Sequence, residues 1–557
     1  MAAIDLSAAP FHLEDGAQAW VQETLTSLSP RDKLAQLFIL LSRDAPEAAL
    51  DSLRAFKPAG ITRIYSSNLS AEIGLINDAN SVGPVPMLVS ADLEGSRMSL
   101  PFGTEVPNPL ALAAIDDVET TSAIATIMAE EAHAVGLNWS FTPLLDINAA
   151  WRSAIVSTRS FGSDVDLIER HALAEISAFQ ASGVAATVKH WPGEGFDDRD
   201  QHLVTTVNPL SVEEWEDKFG RLYRAAIDAG VMSVMSAHIA FPAYVLANDP
   251  DAGAEAYRPA VLSSLLNQQL LREKLGFNGL IVTDATPMAG FGDWGPRSEI
   301  IPQSIIAGCD LILFSDDPTA DLMHLVAAVA DGRLSQERVD EAVTRVLALK
   351  AALGLHKTDR EPLEPISAQL TLARLSSKEV AKAAHDKVPT LVKDTANLLP
   401  LTVEKHKRVL IFSTGAVQPF APVPLPLSLP DLLREQGFEI TEYTPDMQVN
   451  IKDFDLVLYL LAEETLLTRQ RIFLNWRELT GNVFGAMKRY WHDVPVLMVS
   501  LGYPFYLHDA PRVKTYVNAY ASNEDMQQAV LDCLLGKKPF LGKSPVDPFC
   551  GSDQAKY

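Results

Sequence analysis

A chain of 557 residues, 47% of them hydrophobic, carries enough apolar material for a large core and too much to remain disordered. Its net charge of −25 opposes non-specific binding to nucleic acid or to an anionic membrane surface. Three widely separated cysteines, Cys309, Cys533 and Cys550, offer neither a disulfide framework nor a metal-ligand spacing.

The opening stretch "MAAIDLSAAPFHLEDGAQAW" has no basic region followed by an apolar one, and no uncharged apolar run of about 18 residues follows. A cytoplasmic protein without a membrane span is expected. As far as residue 355, short β-branched runs alternate with segments rich in Ala, Leu and Glu. The runs are "QLFILL", "GITRIY", "MLVSAD", "LNWSFTP", "VAATVKH", "MSVMSAH", "LIVTDA" and "DLILFS". Strands alternating with helices in this way predict a (β/α)8 TIM barrel over residues 1–355, although alternation alone also fits an open sheet. The polar, proline-bearing stretch "HKTDREPLEPIS" predicts a linker over 356–376. Beyond it, "RVLIF", "FEITEY", "DLVLYLL", "VPVLMVSL" and "VKTYVNAY" predict the strands of a smaller α/β sandwich domain over 377–557.

Polar residues stand at the C-terminal ends of the barrel runs: Asp92, Asp146, Lys189 with His190, His238 and Asp284. In a barrel these ends converge on the one face where active sites are built. Asp284 follows an apolar strand and precedes a turn of small residues, so it can serve as nucleophile or base, or cap the next helix. The loop "KHWPGEGFDDRDQH", residues 189–202, places Asp200 one residue from His202. A carboxylate beside a histidine orients the ring and raises its basicity, which makes a proton donor and acceptor near neutral pH. Trp191 could serve as a sugar-stacking platform, but an aromatic residue beside proline is more often packing, and it is left without a role.

The same loop resembles the "KHFPGHG…DSH" signature of glycoside hydrolase family 3, in its β-N-acetylglucosaminidase branch. "LSPRDKLAQLF", "SADLEGSRM", "FTPLLDIN", "STRSFGSD", "VMSAHIAFP" and "LIVTDATPM" follow the family's order. "VPTLVKDTANLLPL" and "GKKPFLGKSPV" resemble the start and end of its second domain. The resemblance implies a retaining exo-β-N-acetylglucosaminidase acting on chitin- or peptidoglycan-derived saccharides. It implies Asp284 as nucleophile, His202 as acid/base with Asp200 as its dyad partner, and Asp92, Arg159, Lys189 and His190 as ligands of the nonreducing sugar. It gives the second domain two roles, lining the site or self-association as a homodimer. Carbohydrate is then the expected partner. No metal or other cofactor is expected, since no "HExxH" pair occurs and two-step acid/base chemistry needs none. Three positions depart from the pattern: Glu194 replaces the second histidine of the loop, Trp191 replaces a phenylalanine, and Leu100 stands where many relatives carry a sugar-binding arginine beside the retained Arg97. These departures keep open a β-glucosidase-like specificity, as the histidine acid/base keeps open phosphate as an acceptor. A sugar-binding protein without catalysis is the remaining alternative.

Overall fold

The computed structural model describes residues 4–83, 85–357, 361–417 and 423–557. Part of the expected linker, residues 358–360, lies outside them. The barrel strands are β1 (Phe38–Ser42), β2 (Gly60–Arg63), β3 (Leu88–Ala91), β4 (Trp139–Ser140), β5 (Thr187–Trp191), β6 (Ser233–Ser236), β7 (Leu280–Thr283) and β8 (Ile312–Leu313). They form a parallel sheet in the order β8-β1-β2-β3-β4 and another in the order β5-β6-β7. Parallel bridges Trp139 to Ala185 and Leu144 to Lys189 join β4 to β5, and Val282 to Leu311 joins β7 to β8. The two sheets therefore close into a barrel. Strands such as "FILL" and "LIVT" are apolar throughout because barrel strands are covered on both faces, by the packed interior and by the outer helices.

The N-terminal face of the barrel is pinned by charge. Asp310, fully buried just ahead of β8, lies 2.6 Å from Arg272, 2.8 Å from Arg338 and 3.7 Å from Arg345. Conservative chemistry belongs at this face, since the loops that differ between barrel proteins emerge at the other.

The second unit is a six-stranded sheet built from β9 (Thr390–Asp394), β10 (Arg408–Ser413), β11 (Glu439–Glu442), β12 (Leu456–Leu461), β13 (Val496–Ser500) and β14 (Thr515–Asn518). Its order is β9-β14-β13-β12-β10-β11, parallel except for the edge strand β9. That strand falls in "VPTLVKDT", which the sequence did not mark as a strand: its burial follows no two-residue period, a register shift falls between Leu391 and Lys393, and it carries a lysine and an aspartate. The two cores interleave. Leu110, Ala111 and Ala114, on the helix Pro109–Ile115, pack into the second core, whereas Ala368, Leu372, Ala381 and Ala384, from beyond the barrel, pack into the first. The three cysteines are buried and free. Among the described residues no helix is long and apolar enough to cross a membrane.

Candidate active site

The C-terminal ends of the strands open into a cavity of about 790 Å³. Asp92, Arg159, Lys189, His190, His202 and Asp284 line it, so the barrel brings together every expected site residue except Asp200, which stands behind His202. The second unit closes part of the wall with Glu464, Leu467, Thr468 and Ser522.

Lys189, 1% exposed on β5, places Nζ 2.8 Å from Asp92 Oδ1 and 2.7 Å from Glu94 Oε1. Glu94 also accepts two bonds from Arg159, from Nε at 2.8 Å and from Nη2 at 2.9 Å. Two cations and two carboxylates thus neutralise one another in a quartet, Lys189, Glu94 and Arg159 buried and the Asp92 side chain 38% exposed, which satisfies the requirement that buried charge be paired. Asp92 and Arg159 do not pair with each other; Glu94 stands between them. Burial acts to raise the Glu94 pKa, but the charges of Arg159 and Lys189 outweigh it and hold the group down at about 2. Burial likewise disfavours charge on Lys189, yet Asp92 and Glu94 keep its pKa above the ordinary value. Glu94 escaped the sequence reading because it lies past the end of β3. Its signal was the following Gly95, at φ +85°, where an added Cβ would come within 2.4 Å of the Pro107 carbonyl oxygen.

This quartet carries a pH dependence with a definite sign. The folded pKa of Glu94 lies below its unfolded value, so its charge stabilises the fold above about pH 4.5, and that contribution fades as pH falls toward 2. The shift corresponds to on the order of 3 kcal/mol. Glu94→Gln is expected to lower the Tm at pH 7 and to flatten the fall of Tm between about pH 5 and pH 3. An unchanged acid slope in a pH series of thermal melts would contradict this account.

His190 donates from Nδ1 to Asp146 Oδ2 at 2.6 Å, while Asp146 Oδ1 accepts the backbone N–H groups of His190 and Glu194, each at 3.0 Å. Burial opposes ionisation of Asp146, but His190 and these hydrogen bonds keep its pKa low. A carboxylate held this way fixes the ring tautomer and turns Nε2 to the cavity. Glu194 faces neither solvent nor substrate. It is 3% exposed, does not line the cavity, and accepts from Gln201 Nε2 at 3.0 Å. Burial, and after it the charge of Asp146, push its pKa well up. Among the described residues the donor atoms of Asp146, His190 and Glu194 also lie within 4.8 Å of one another, close enough for a metal. Both Asp146 oxygens are already committed to protein N–H donors, so the group fits its hydrogen-bonding role and not a cation.

Asp284 follows β7 directly and accepts the N–H of Ala285 at 2.7 Å. Burial raises its pKa, but His238, His190 and His202 bring it below the ordinary carboxylate value, so it stands ionised at neutral pH. His202 is a quarter exposed at the cavity mouth and donates from Nδ1 to Asp200 Oδ1 at 2.7 Å. Asp200 is buried, and its ionised form is held by the His202 side chain and by the N–H groups of His202 and Thr468 against the cost of burial. His238 donates from Nε2 to the Ala285 carbonyl oxygen at 2.9 Å, which braces the turn carrying Asp284.

One reading of the sequence changes here, and the packing reading of Trp191 holds. Arg97 lines the cavity, but its guanidinium donates to the hydroxyl and carbonyl oxygens of Ser522 and lies 4.0 Å from Glu464, so it ties the two units together. Trp191 is fully buried and meets Trp215 and Tyr223 edge-on, so it is packing.

The model of the glycosyl hydrolase family 3 N-terminal domain matches residues 62–349. A "beta-N-acetylglucosaminidase/beta-glucosidase" of Cellulomonas fimi is 38% identical over 98% of this chain and 99% of its own length. Among solved structures, "Beta-glucoside phosphorylase BglX" superposes with a TM-score of 0.91 at 33% identity, covering 99% of each chain. A family 3 β-N-acetylglucosaminidase from Paenibacillus sp. FPU-7 superposes with a TM-score of 0.81 at 26% identity, covering 94% of this chain and all of that one. With its barrel, its ordered motifs and these matches taken together, the chain belongs to glycosyl hydrolase family 3 and is a glycosidase of β-linked sugars.

Proposed function

We propose that this protein is an exo-acting, retaining β-N-acetylglucosaminidase that also accepts β-glucosides, with Asp284 as nucleophile and His202 as acid/base. The observation that carries the reading is the buried Asp200 carboxylate holding Nδ1 of His202, with the ring at the mouth of the cavity that Asp284 lines. In the first step the Asp284 carboxylate attacks the anomeric carbon, the glycosidic C–O bond breaks, and Nε2 of His202 protonates the departing oxygen. In the second, His202 takes a proton from the acceptor, whose oxygen displaces Asp284 and restores the original configuration. Asp92, Lys189 and His190 bind the sugar hydroxyls, and Arg159 holds the Glu94 carboxylate that fixes Lys189.

The breadth of the donor sugar has its support in the double name of the Cellulomonas fimi relative and in Leu100, which offers no cation to an acetamide carbonyl. Phosphate as a second acceptor has separate support. A histidine acid/base adds no second anion to the site, so it repels an anionic acceptor less than a carboxylate would, and the BglX structures are named as phosphorylases.

The test is release of 4-nitrophenol from β-GlcNAc, β-GalNAc, β-glucoside and β-xyloside substrates, with and without phosphate, alongside analysis of the sugar product. Turnover of the β-GlcNAc and β-glucoside substrates is expected, with sugar 1-phosphate accumulating when phosphate is present. Turnover limited to sugars without the acetamide would overturn the donor assignment. Free sugar alone, at every phosphate concentration, would leave water as the acceptor.

A further inference from the structure

The second unit reaches the acid/base itself. Asp200 Oδ1 serves His202, accepting its ring Nδ1–H at 2.7 Å and its backbone N–H at 2.8 Å. Asp200 Oδ2 accepts the backbone N–H of Thr468 at 2.8 Å, across 268 residues of sequence. With Asp200 only 1% exposed, water does not readily replace that donor, and an unpaired buried carboxylate oxygen is costly.

The segment that offers this N–H is built for the contact. Thr468 has φ +61° and Gln470 has φ +62°. A β-branched residue in left-handed backbone is a genuine outlier, and such residues persist only where the surroundings over-determine them. Both flanks of Thr468 are clamped to the barrel. Leu466 donates its N–H to the Ala154 carbonyl oxygen at 3.1 Å, and Arg471 forms an antiparallel bridge with Ser153. The Arg471 guanidinium also lies 3.0 Å from Asp198 Oδ2, on the loop that carries the dyad.

We propose that Thr468 is a positioning residue for proton transfer: its backbone N–H, delivered from the second unit, fixes the rotation of the Asp200 carboxylate and through it the plane of the His202 ring. The inference rests on the assignment of His202 as acid/base. It makes docking of the second unit a condition for an armed catalytic histidine.

The experiment uses the full chain and aryl β-glycosides of whichever sugar the wild type turns over fastest. Thr468→Pro removes the N–H and cannot hold a positive φ. Thr468→Ala keeps the N–H, and Thr468→Gly keeps it while relaxing the left-handed backbone. The readout is kcat/KM for a phenyl leaving group, which needs a proton, against 2,4-dinitrophenyl, which does not. Thr468→Pro is expected to lower kcat/KM for the phenyl glycoside by about 10- to 100-fold and for the dinitrophenyl glycoside by less than about 3-fold. The alanine and glycine variants should keep the wild-type ratio. An equal loss on both substrates, no loss on either, or the proline pattern in the alanine or glycine variant overturns the proposal. Should Thr468→Pro fail to fold, Arg471→Ala decides. It loosens the clamp without touching the N–H, and a selective loss of about 3-fold on the phenyl glycoside is expected; a uniform loss or none refutes the proposal. His202→Ala, assayed alongside, separates the two failures. If it lacks leaving-group selectivity, the assignment of His202 falls; if it has it and the Thr468 series does not, only the positioning role falls.

Discussion

Asp284→Ala is expected to lower kcat for every aryl β-glycoside by about 10⁴-fold or more, whatever the leaving group. The reasons lie in what surrounds the carboxylate. It sits at the end of a buried strand, kept ionised by three neighbouring histidines against burial, with the Ala285 N–H fixing one oxygen. A leaving group that needs no proton still needs a nucleophile, so activated substrates gain nothing from their activation. Added azide should restore turnover by entering the space left by the carboxylate, and attack from that side inverts the centre to give the α-glycosyl azide. Measured 4-nitrophenol release and the configuration of the azide product check both halves. Near-normal turnover without azide would remove Asp284 from the mechanism.

His202→Ala is expected to behave differently, and the contrast is the stronger evidence. Loss of a general acid costs about 10²- to 10⁴-fold where the leaving oxygen must be protonated, and little where it need not be. Phenyl glycosides should therefore fall by that factor while 2,4-dinitrophenyl glycosides still react with Asp284. The second step then lacks its base, so the glycosyl-enzyme should accumulate and appear as a burst of dinitrophenol. Azide should release it with retained configuration, as the β-glycosyl azide, because Asp284 has already turned the centre once. A loss independent of leaving group would show that the histidine shapes the site without moving the proton.

Much of the fold was legible because barrel strands are covered on both faces. Their sequences are apolar runs, and runs as short as β4 and β8 still stood out beside the helical segments. The edge strand β9 was not legible, since its burial follows no two-residue period and a register shift interrupts its pairing. Within the site, Asp92, Lys189, His190 and Asp284 were legible because they fall at or just past the ends of recognisable strands. Asp200 and His202 were legible because they are neighbours in sequence. Glu94 was missed because it lies three residues past the end of β3, where only the neighbouring Gly95 marks the turn. The Thr468 contact left no local trace, as a backbone N–H carries no residue signature and its partner lies 268 positions away. Glu194 and Arg97 were visible as residues but not as contacts, and their partners, Gln201 and Ser522, had to come from the fold.

The interleaved cores bear on how this protein can be re-engineered. The helix Pro109–Ile115 belongs to the barrel in sequence, yet its Leu110, Ala111 and Ala114 are packed among residues of the second sheet. Ala368, Leu372, Ala381 and Ala384 make the reciprocal move. A chimera that joins this barrel to a relative's second domain at a cut near residue 355 would strip apolar side chains of their partners on both sides of the junction, even though the cut falls outside the barrel strands. The helix 109–115 goes with neither side alone, because its Leu112 and Ala113 pack in the first core, so the barrel and the second sheet exchange as one piece.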